Sequence, residues 1–228
     1  MLNQLFRSTS TCAIMAGLLS GIAATNSNAQ NLLVNGSFED PVVPSGFATL
    51  FTSGQSIGSA PGTWIVASAQ QNAAVIDDLY TGGGAIWANP TDGRQFLYVG
   101  DIATSSTIYQ DFLVTAPGAF RLTFDMANFL ASPSNFPNGA RLRVDILQGS
   151  TSILPGGQVQ FDRPRNAGFA PQSLDMTFAT SGTYRLIFTN ETGFGTNVDN
   201  FVLQPVPTPG SALASMAVLY AATRRRRR

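Results

Sequence analysis

The sequence contains no histidine, no lysine, a single cysteine and only 11% charged residues. Each absence removes a class of chemistry. Without histidine there is no Ser-His-Asp triad, no Cys-His dyad and no imidazole metal ligand. The one cysteine, Cys12, lies near the N-terminus in a stretch read below as a removed leader. Disulfides, thiolate zinc sites and redox motifs are therefore excluded. No serine has a histidine or lysine to activate it as a nucleophile. What is abundant is apolar, aromatic and turn-forming: 44% hydrophobic residues, 16 Phe, 22 Gly and 13 Pro among 228 residues. That content supports a sizeable core and argues against wholesale disorder. Phe, Thr, Val and Gly favour strands and turns over helices. The length suits one domain or two small ones, and a chain this long can fold without disulfides.

The formal net charge of zero hides an asymmetry. All 13 basic residues are arginine, and five of them close the chain. Between Gln30 and Gln204, seven arginines stand against 13 acidic residues, a net charge of −6. Nucleic acid rewards clustered basic residues, so an acidic body excludes it as a partner.

Both ends read as addresses. Residues 1–29 have the layout of a secretory signal peptide: Arg7, an apolar run over 12–24, then Ser27, Asn28 and Ala29 before an expected cleavage at Gln30. The apolar run is shorter than the ~20 residues of a membrane span, which argues against an anchor. Cys12 has no lipobox around it. At the other end, Val206-Pro-Thr-Pro-Gly210 forms a stiff hinge hostile to helix. A short hydrophobic helix is expected over residues 211–223, followed by Arg224, Arg225, Arg226, Arg227 and Arg228. An apolar segment capped by arginines is a stop-transfer device rather than a solvated basic tail. Its few residues reach further when arginines snorkel.

This three-part tail resembles the PEP-CTERM sorting signal of Gram-negative bacteria that make exopolysaccharide. Pro207 and Pro209 match the motif, and Thr208 stands where that signal usually has Glu. The resemblance implies an exosortase-type processing enzyme as partner, transient membrane attachment through the tail helix, and delivery to the cell surface or exterior. The chain then divides into a signal peptide (1–29), a body (30–205) and a sorting signal (206–228).

Within the body, residues 120–128 alternate: Phe120, Leu122, Phe124 and Met126 face one side, Arg121, Thr123 and Asp125 the other. This is the period of a half-buried strand. Residues 141–147, 173–179 and 183–189 repeat it. Further strands are predicted at 32–35, 64–67, 73–79, 95–100, 107–114, 158–161 and 198–203. Turn dipeptides such as Asn35-Gly36, Asp92-Gly93 and Ser181-Gly182 lie between them. Many short strands without helical period predict an all-β antiparallel sandwich. Thr81-Gly82-Gly83-Gly84 reads as a flexible loop, because no Walker lysine or strand–helix context accompanies it.

The opening run Asn31-Leu-Leu-Val-Asn-Gly-Ser-Phe-Glu-Asp-Pro41 resembles the start of galactose-binding-like jelly rolls, including carbohydrate-binding modules and DUF642-type cell-wall proteins. Trp64, the strand around Gln95, residues 108–112, the Pro117-Gly118 turn and the closing run 197–203 follow in their order. The resemblance implies a jelly-roll β-sandwich with a tendency to bind polysaccharide. It also implies a structural Ca²⁺ clamped between Glu39 of the opening motif and Asp199 of the closing strand; two solvated, turn-capping acids are the alternative.

Sugar rings pack their C–H faces on aromatic rings, with polar groups orienting the hydroxyls. Tyr80 and Trp87 flank the glycine loop and are the first candidates, with Asp78 and Arg94 as polar partners. Phe129 and Phe136 follow; Phe47, Phe51, Phe169 and Phe194 are further options. Trp64 is assigned to the core. Gln110 faces inward, either lining a pocket or bonding to loop backbone. Glycosidases need two carboxylates, and the adjacent Asp77 and Asp78 are expected on opposite strand faces. The reading is a non-catalytic, exported carbohydrate-binding module; the alternative is a structural or adhesive matrix protein with no specific sugar.

Overall fold

The computed structural model describes residues 30–67, 73–100, 105–131, 138–191 and 195–207. The leader, Thr208, Pro209, the tail helix and the closing arginines lie outside these residues, as do Phe136 and Phe194. The described strands are β1 (Ala48–Phe51), β2 (Ser56–Ile57), β3 (Trp64–Val66), β4 (Ala73–Asp77), β5 (Gln95–Val99), β6 (Thr107–Val114) and β7 (Gly118–Ala127). They continue with β8 (Ala140–Gln148), β9 (Thr151–Ser152), β10 (Val159–Arg163), β11 (Ala170–Phe178), β12 (Gly182–Asn190) and β13 (Thr196–Pro205). One sheet has the order β1-β4-β5-β13-β7-β11. The other runs β10-β8-β12-β6-β3-β2, with β9 beside β8. Neighbours pair antiparallel throughout both sheets.

The alternation read in the sequence is what packs the sandwich. Leu122, Phe124 and Met126 of β7 are buried, as are Leu142, Val144 and Ile146 of β8 and Tyr184, Leu186 and Phe188 of β12. The inner faces meet in an aromatic cluster. Trp64 of β3 lies 5.2 Å from Phe188 in its own sheet and 5.3 Å from Phe201 of the opposite sheet. Phe201 stacks on Phe124 at 4.8 Å and on Phe188 at 5.1 Å. Each buried Phe contributes roughly 2–3 kcal/mol of transfer free energy, so this cluster is a main tie between the sheets. Trp64 is a core residue, as expected, and its Nε1 donates to Asn35 O at 3.0 Å.

The opening segment differs from expectation. Residues 32–35 are not a strand. They lie along a bulge in β13, where the register with β7 shifts between Asp199 and Val202 and Asn200 takes a positive φ of 53°. The bulge frees the Phe201 N–H, which donates to Gly36 O at 2.9 Å. Asn31 completes the attachment, donating to Phe201 O and accepting from Leu203 N. Gly36 lies so close to this backbone that a Cβ there would fall 2.1 Å from Phe201 O. The Asn-Gly pair of the opening motif is thus a packing requirement.

Gln110 is fully buried and forms a two-way bond with the Val34 backbone: its Oε1 accepts from Val34 N and its Nε2 donates to Val34 O, both at 2.8 Å. Of the two readings of this residue, backbone attachment is the one realised.

Candidate functional site

The outer face of the first sheet carries the site. Alternation points Leu97 and Val99 of β5 into the core and turns Phe96 and Tyr98 outward, with Ala74 and Ile76 of β4 beside them. The loop of residues 78–94, between β4 and β5, folds back over these side chains. Trp87 sits on them, with ring centroids 6.0 Å from Phe96, 5.3 Å from Tyr98 and 4.8 Å from Phe129. Tyr80 lies 5.8 Å from Trp87. The glycine run between the two is ordered by this contact. The Trp87 Nε1 donates to Gly82 O at 3.0 Å, and a Cβ on Gly82 would meet the Tyr80 hydroxyl at 2.2 Å. The sequence marked this run only as a flexible loop.

The loop is fastened at three places. At its start, Asp77 ends β4 and Asp78 begins a turn, so the two carboxylates do not diverge as adjacent strand residues would. Arg94 Nη2 reaches Asp77 Oδ2 at 3.3 Å and Asp78 Oδ1 at 3.2 Å. The hydrogen bond that Arg94 donates to Asp78, reinforced by both negative charges, holds Arg94 above its ordinary pKa. Asp77 is itself buried, and its Oδ1 accepts from Gly46 N at 2.7 Å. In the middle, Ile86 N donates to Ala131 O, and Leu130 N donates to Ile86 O at 2.7 Å. At its end, Asp199 Oδ2 accepts from Thr91 N at 2.7 Å, Asp92 N at 3.0 Å and Thr91 Oγ1 at 3.1 Å. Glu39 Oε1 accepts from Arg94 N and Gln95 N, each at 2.7 Å.

Glu39 and Asp199 therefore meet the same turn from two sides, but they present it with no shared oxygen cage. Calcium is held by six to eight oxygens, whereas the atoms aimed at Glu39 Oε1 and Asp199 Oδ2 are hydrogens of N–H and O–H groups. Asp199 Oδ1 also accepts a main-chain amide, that of Asn200, at 2.7 Å. Among the described residues no three acidic, histidine or cysteine side chains are grouped to hold an ion. As placed, these residues do not fit a calcium held jointly by Glu39 and Asp199.

Burial pushes the Asp199 carboxyl up to about 6, against four donors that pull it down. A carboxyl raised in the folded state stabilises folding when protonated. That contribution is complete below its unfolded value of 3.8 and is lost as pH rises past about 6. The stability of the wild type relative to Asp199→Asn is expected to fall from pH 4 to pH 6.5 by up to about 3 kcal/mol. Thermal melts across that range check it; a pH-independent difference contradicts it.

The structure gathers most, but not all, of the predicted ligand residues. Asp78, Tyr80, Thr81, Ile86 and Trp87 line a groove of about 450 Å³, in which Tyr80 and Trp87 are half-buried. Arg94 reaches this groove only through Asp78, because its guanidinium is engaged by the two aspartates. Phe129 is not a surface platform: its ring is 2% exposed and lies beneath Trp87. Phe51 is buried, Phe169 sits edge-on to Phe96 at 5.8 Å, and Phe47 is exposed. Tyr98, Thr81 and Gln95 were missed. Buried Gln95 donates to Phe38 O at 2.8 Å and Pro41 O at 3.0 Å. Its inward place beside Leu97 and Val99 was the available signal, the same one that singled out Gln110.

No protein-family profile and no curated protein sequence matches the chain. Solved structures do resemble it. A cyclase from Fischerella sp. TAU superimposes with a TM-score of 0.57 at 18% identity, covering 79% of this chain and 100% of that one. The Stig cyclase Fisc from the same organism, solved with (3Z)-3-(1-methyl-2-pyrrolidinylidene)-3H-indole, gives 0.56 at 18% identity, covering 79% of this chain and 99% of that one. The carbohydrate-binding module TmCBM61, solved with β-1,4-galactotriose, gives 0.50 at 13% identity, covering 78% of this chain and 100% of that one. At such identities the likeness speaks to fold and not to ligand. The body is an all-β, two-sheet antiparallel sandwich of the jelly-roll kind seen in carbohydrate-binding modules.

Proposed function

We propose that this protein is a non-catalytic carbohydrate-binding module, exported to the cell surface or extracellular matrix of a Gram-negative bacterium. The observation that carries the reading is the Tyr80–Trp87 pair, 5.8 Å apart, held on a fastened loop beside the carboxylate of Asp78 and the hydroxyl of Thr81. An aromatic surface next to hydrogen-bonding groups suits a sugar ring, whose apolar face stacks while its hydroxyls are oriented. The expected partner is polysaccharide, and a matrix exopolysaccharide fits the sorting signal. The same fold serves cyclases, so the absence of catalysis is part of the proposal. It is supported by Asp77 and Asp78 both being tied to Arg94 rather than set across a cleft. In this reading the leader directs export, an exosortase-type enzyme recognises Pro207, Thr208, Pro209 and the arginine run, and the tail holds the chain in the membrane until processing. Hydrogen bonds, rather than a metal, hold the corner at Glu39 and Asp199.

Affinity gel electrophoresis of the purified protein through a panel of soluble polysaccharides tests this. A β-1,4-galactan belongs in the panel, since one structure of this fold holds a galactotriose. Retardation by one polysaccharide class, equal with added calcium and with EDTA, is expected. Uniform migration of folded protein through the whole panel would overturn the sugar reading in favour of a structural matrix protein. Retardation that EDTA abolishes would restore the calcium expected from the opening motif.

A further inference from the structure

A second space, walled in part by Tyr80 and Trp87, lies between the loop and the outer sheet face. Its volume is about 200 Å³, and its walls include Leu50, Ile76, Tyr80, Trp87, Tyr98 and Phe129. Ala48, Ala74, Gly83 and Ala85 complete the lining and leave the room that larger side chains would fill. The lining side chains contribute two phenol hydroxyls and one indole N–H, and that N–H is already used on Gly82 O. The rim is apolar as well: Leu50 is 70% exposed, and Ile86 in the adjoining groove is 61% exposed.

We propose that this cavity is a binding site for a single apolar ring, aromatic in the first instance, distinct from the sugar groove. Size sets one limit. A closed apolar cavity of about 150 Å³ holds one benzene, so this open-sided pocket of about 200 Å³ seats one substituted ring against its walls rather than several sugar rings. Chemistry sets the other. The side of a hexose turned to these walls would find few partners for its hydroxyls, and polar groups desolvated without hydrogen bonds are disfavoured. An aromatic ring instead meets Trp87, Tyr98 and Phe129, of which Trp87 already packs edge to face on the other two. The proposal stands without the sugar reading. If both hold, Tyr80, Ala85 and Trp87 wall the two spaces in common, and a saccharide bearing an aryl substituent fills both.

Isothermal titration of the purified protein with p-cresol tests the cavity, with glucose as a polar ring of similar size. Saturable p-cresol binding with a Kd on the order of 0.1–1 mM is expected for so small a ligand, with no binding of glucose. Two filling variants, Ala85→Leu and Ala48→Leu, are each expected to weaken p-cresol binding by about tenfold or more, with thermal melts confirming the fold. Either variant that folds suffices. Absence of saturable p-cresol binding overturns the proposal. So does p-cresol binding that persists unchanged in the folded variants, or glucose binding of equal strength. Loss of polysaccharide retardation with p-cresol binding intact refutes only the sugar reading.

Discussion

Replacing Trp87 with alanine is expected to abolish retardation by whichever polysaccharide the protein binds. The side chain is one half of the aromatic surface and also the floor on which that surface rests. It touches Tyr80 on one side and Phe96, Tyr98 and Phe129 on the other. Its removal deletes a stacking face and releases Tyr80 together with the Gly82 contact. Central aromatic residues of binding sites commonly contribute 2 kcal/mol or more, so affinity is expected to fall by at least about 30-fold. Stability falls too, by about 2–3 kcal/mol, since a half-buried Trp loses less than a fully buried one. Trp87→Phe separates the two effects. It restores an apolar floor and a smaller face, so most of the stability and part of the affinity should return. Binding unchanged in Trp87→Ala would move the site elsewhere on the molecule.

The largest loss of stability is expected from a methyl group. Gly36→Ala places a Cβ 2.1 Å from the main-chain carbonyl oxygen of Phe201, and the position of that Cβ is fixed by the backbone. Relief requires the opening segment to leave β13. That movement breaks the bond from Phe201 N to Gly36 O and strains those of Asn31 to Phe201 O and Leu203 N. Phe201 stacks between Phe124 and Phe188, so the disturbance reaches the ring cluster that joins the sheets. A cost of about 4 kcal/mol or more is expected, lowering Tm by roughly 10 °C in a domain of this size. Thermal denaturation of the variant checks it. A Tm within 2 °C of wild type would show that the segment is not seated as described.

The sequence made strands legible where pairing and burial coincide. Residues 107–114 read as a strand in the sequence, and β6 has those limits. Strands β7, β8, β11 and β12 likewise followed from one buried face. It failed where hydrogen bonding and burial part company. Leu32, Leu33 and Val34 are apolar but the segment bonds to a bulge, so residues 32–35 read as a strand and are not one. β1, β2 and β9 are short and lack alternation, and they exist because neighbours pair with them.

Part of the groove's lining is legible in the sequence, and its assembly is not. Tyr80, Trp87 and Asp78 were picked from a loop, and the groove contains all three. Phe96 and Tyr98 were read as ordinary strand residues. Only the return of the 78–94 loop over the outer face makes them the bed for Trp87. Glu39 and Asp199 come from the resemblance, as acids clamping the terminal strands through a cation; that both also fasten the end of the 78–94 loop has no signal in the sequence. Whether an acid at such a corner meets a cation or an amide depends on the backbone path of residues 91–95, which no side-chain motif encodes.

Sugar binding here rests on stacking against Trp87. The chain has two tryptophans. Trp64 is fully buried in the core, and Trp87 is half-buried at the groove. Tryptophan emission, followed while the polysaccharide that retards the protein is titrated in, reads that stacking directly. A saturable shift of the emission to shorter wavelength, absent in Trp87→Phe, is the predicted result. Saturable binding that leaves wild-type emission unchanged would contradict it.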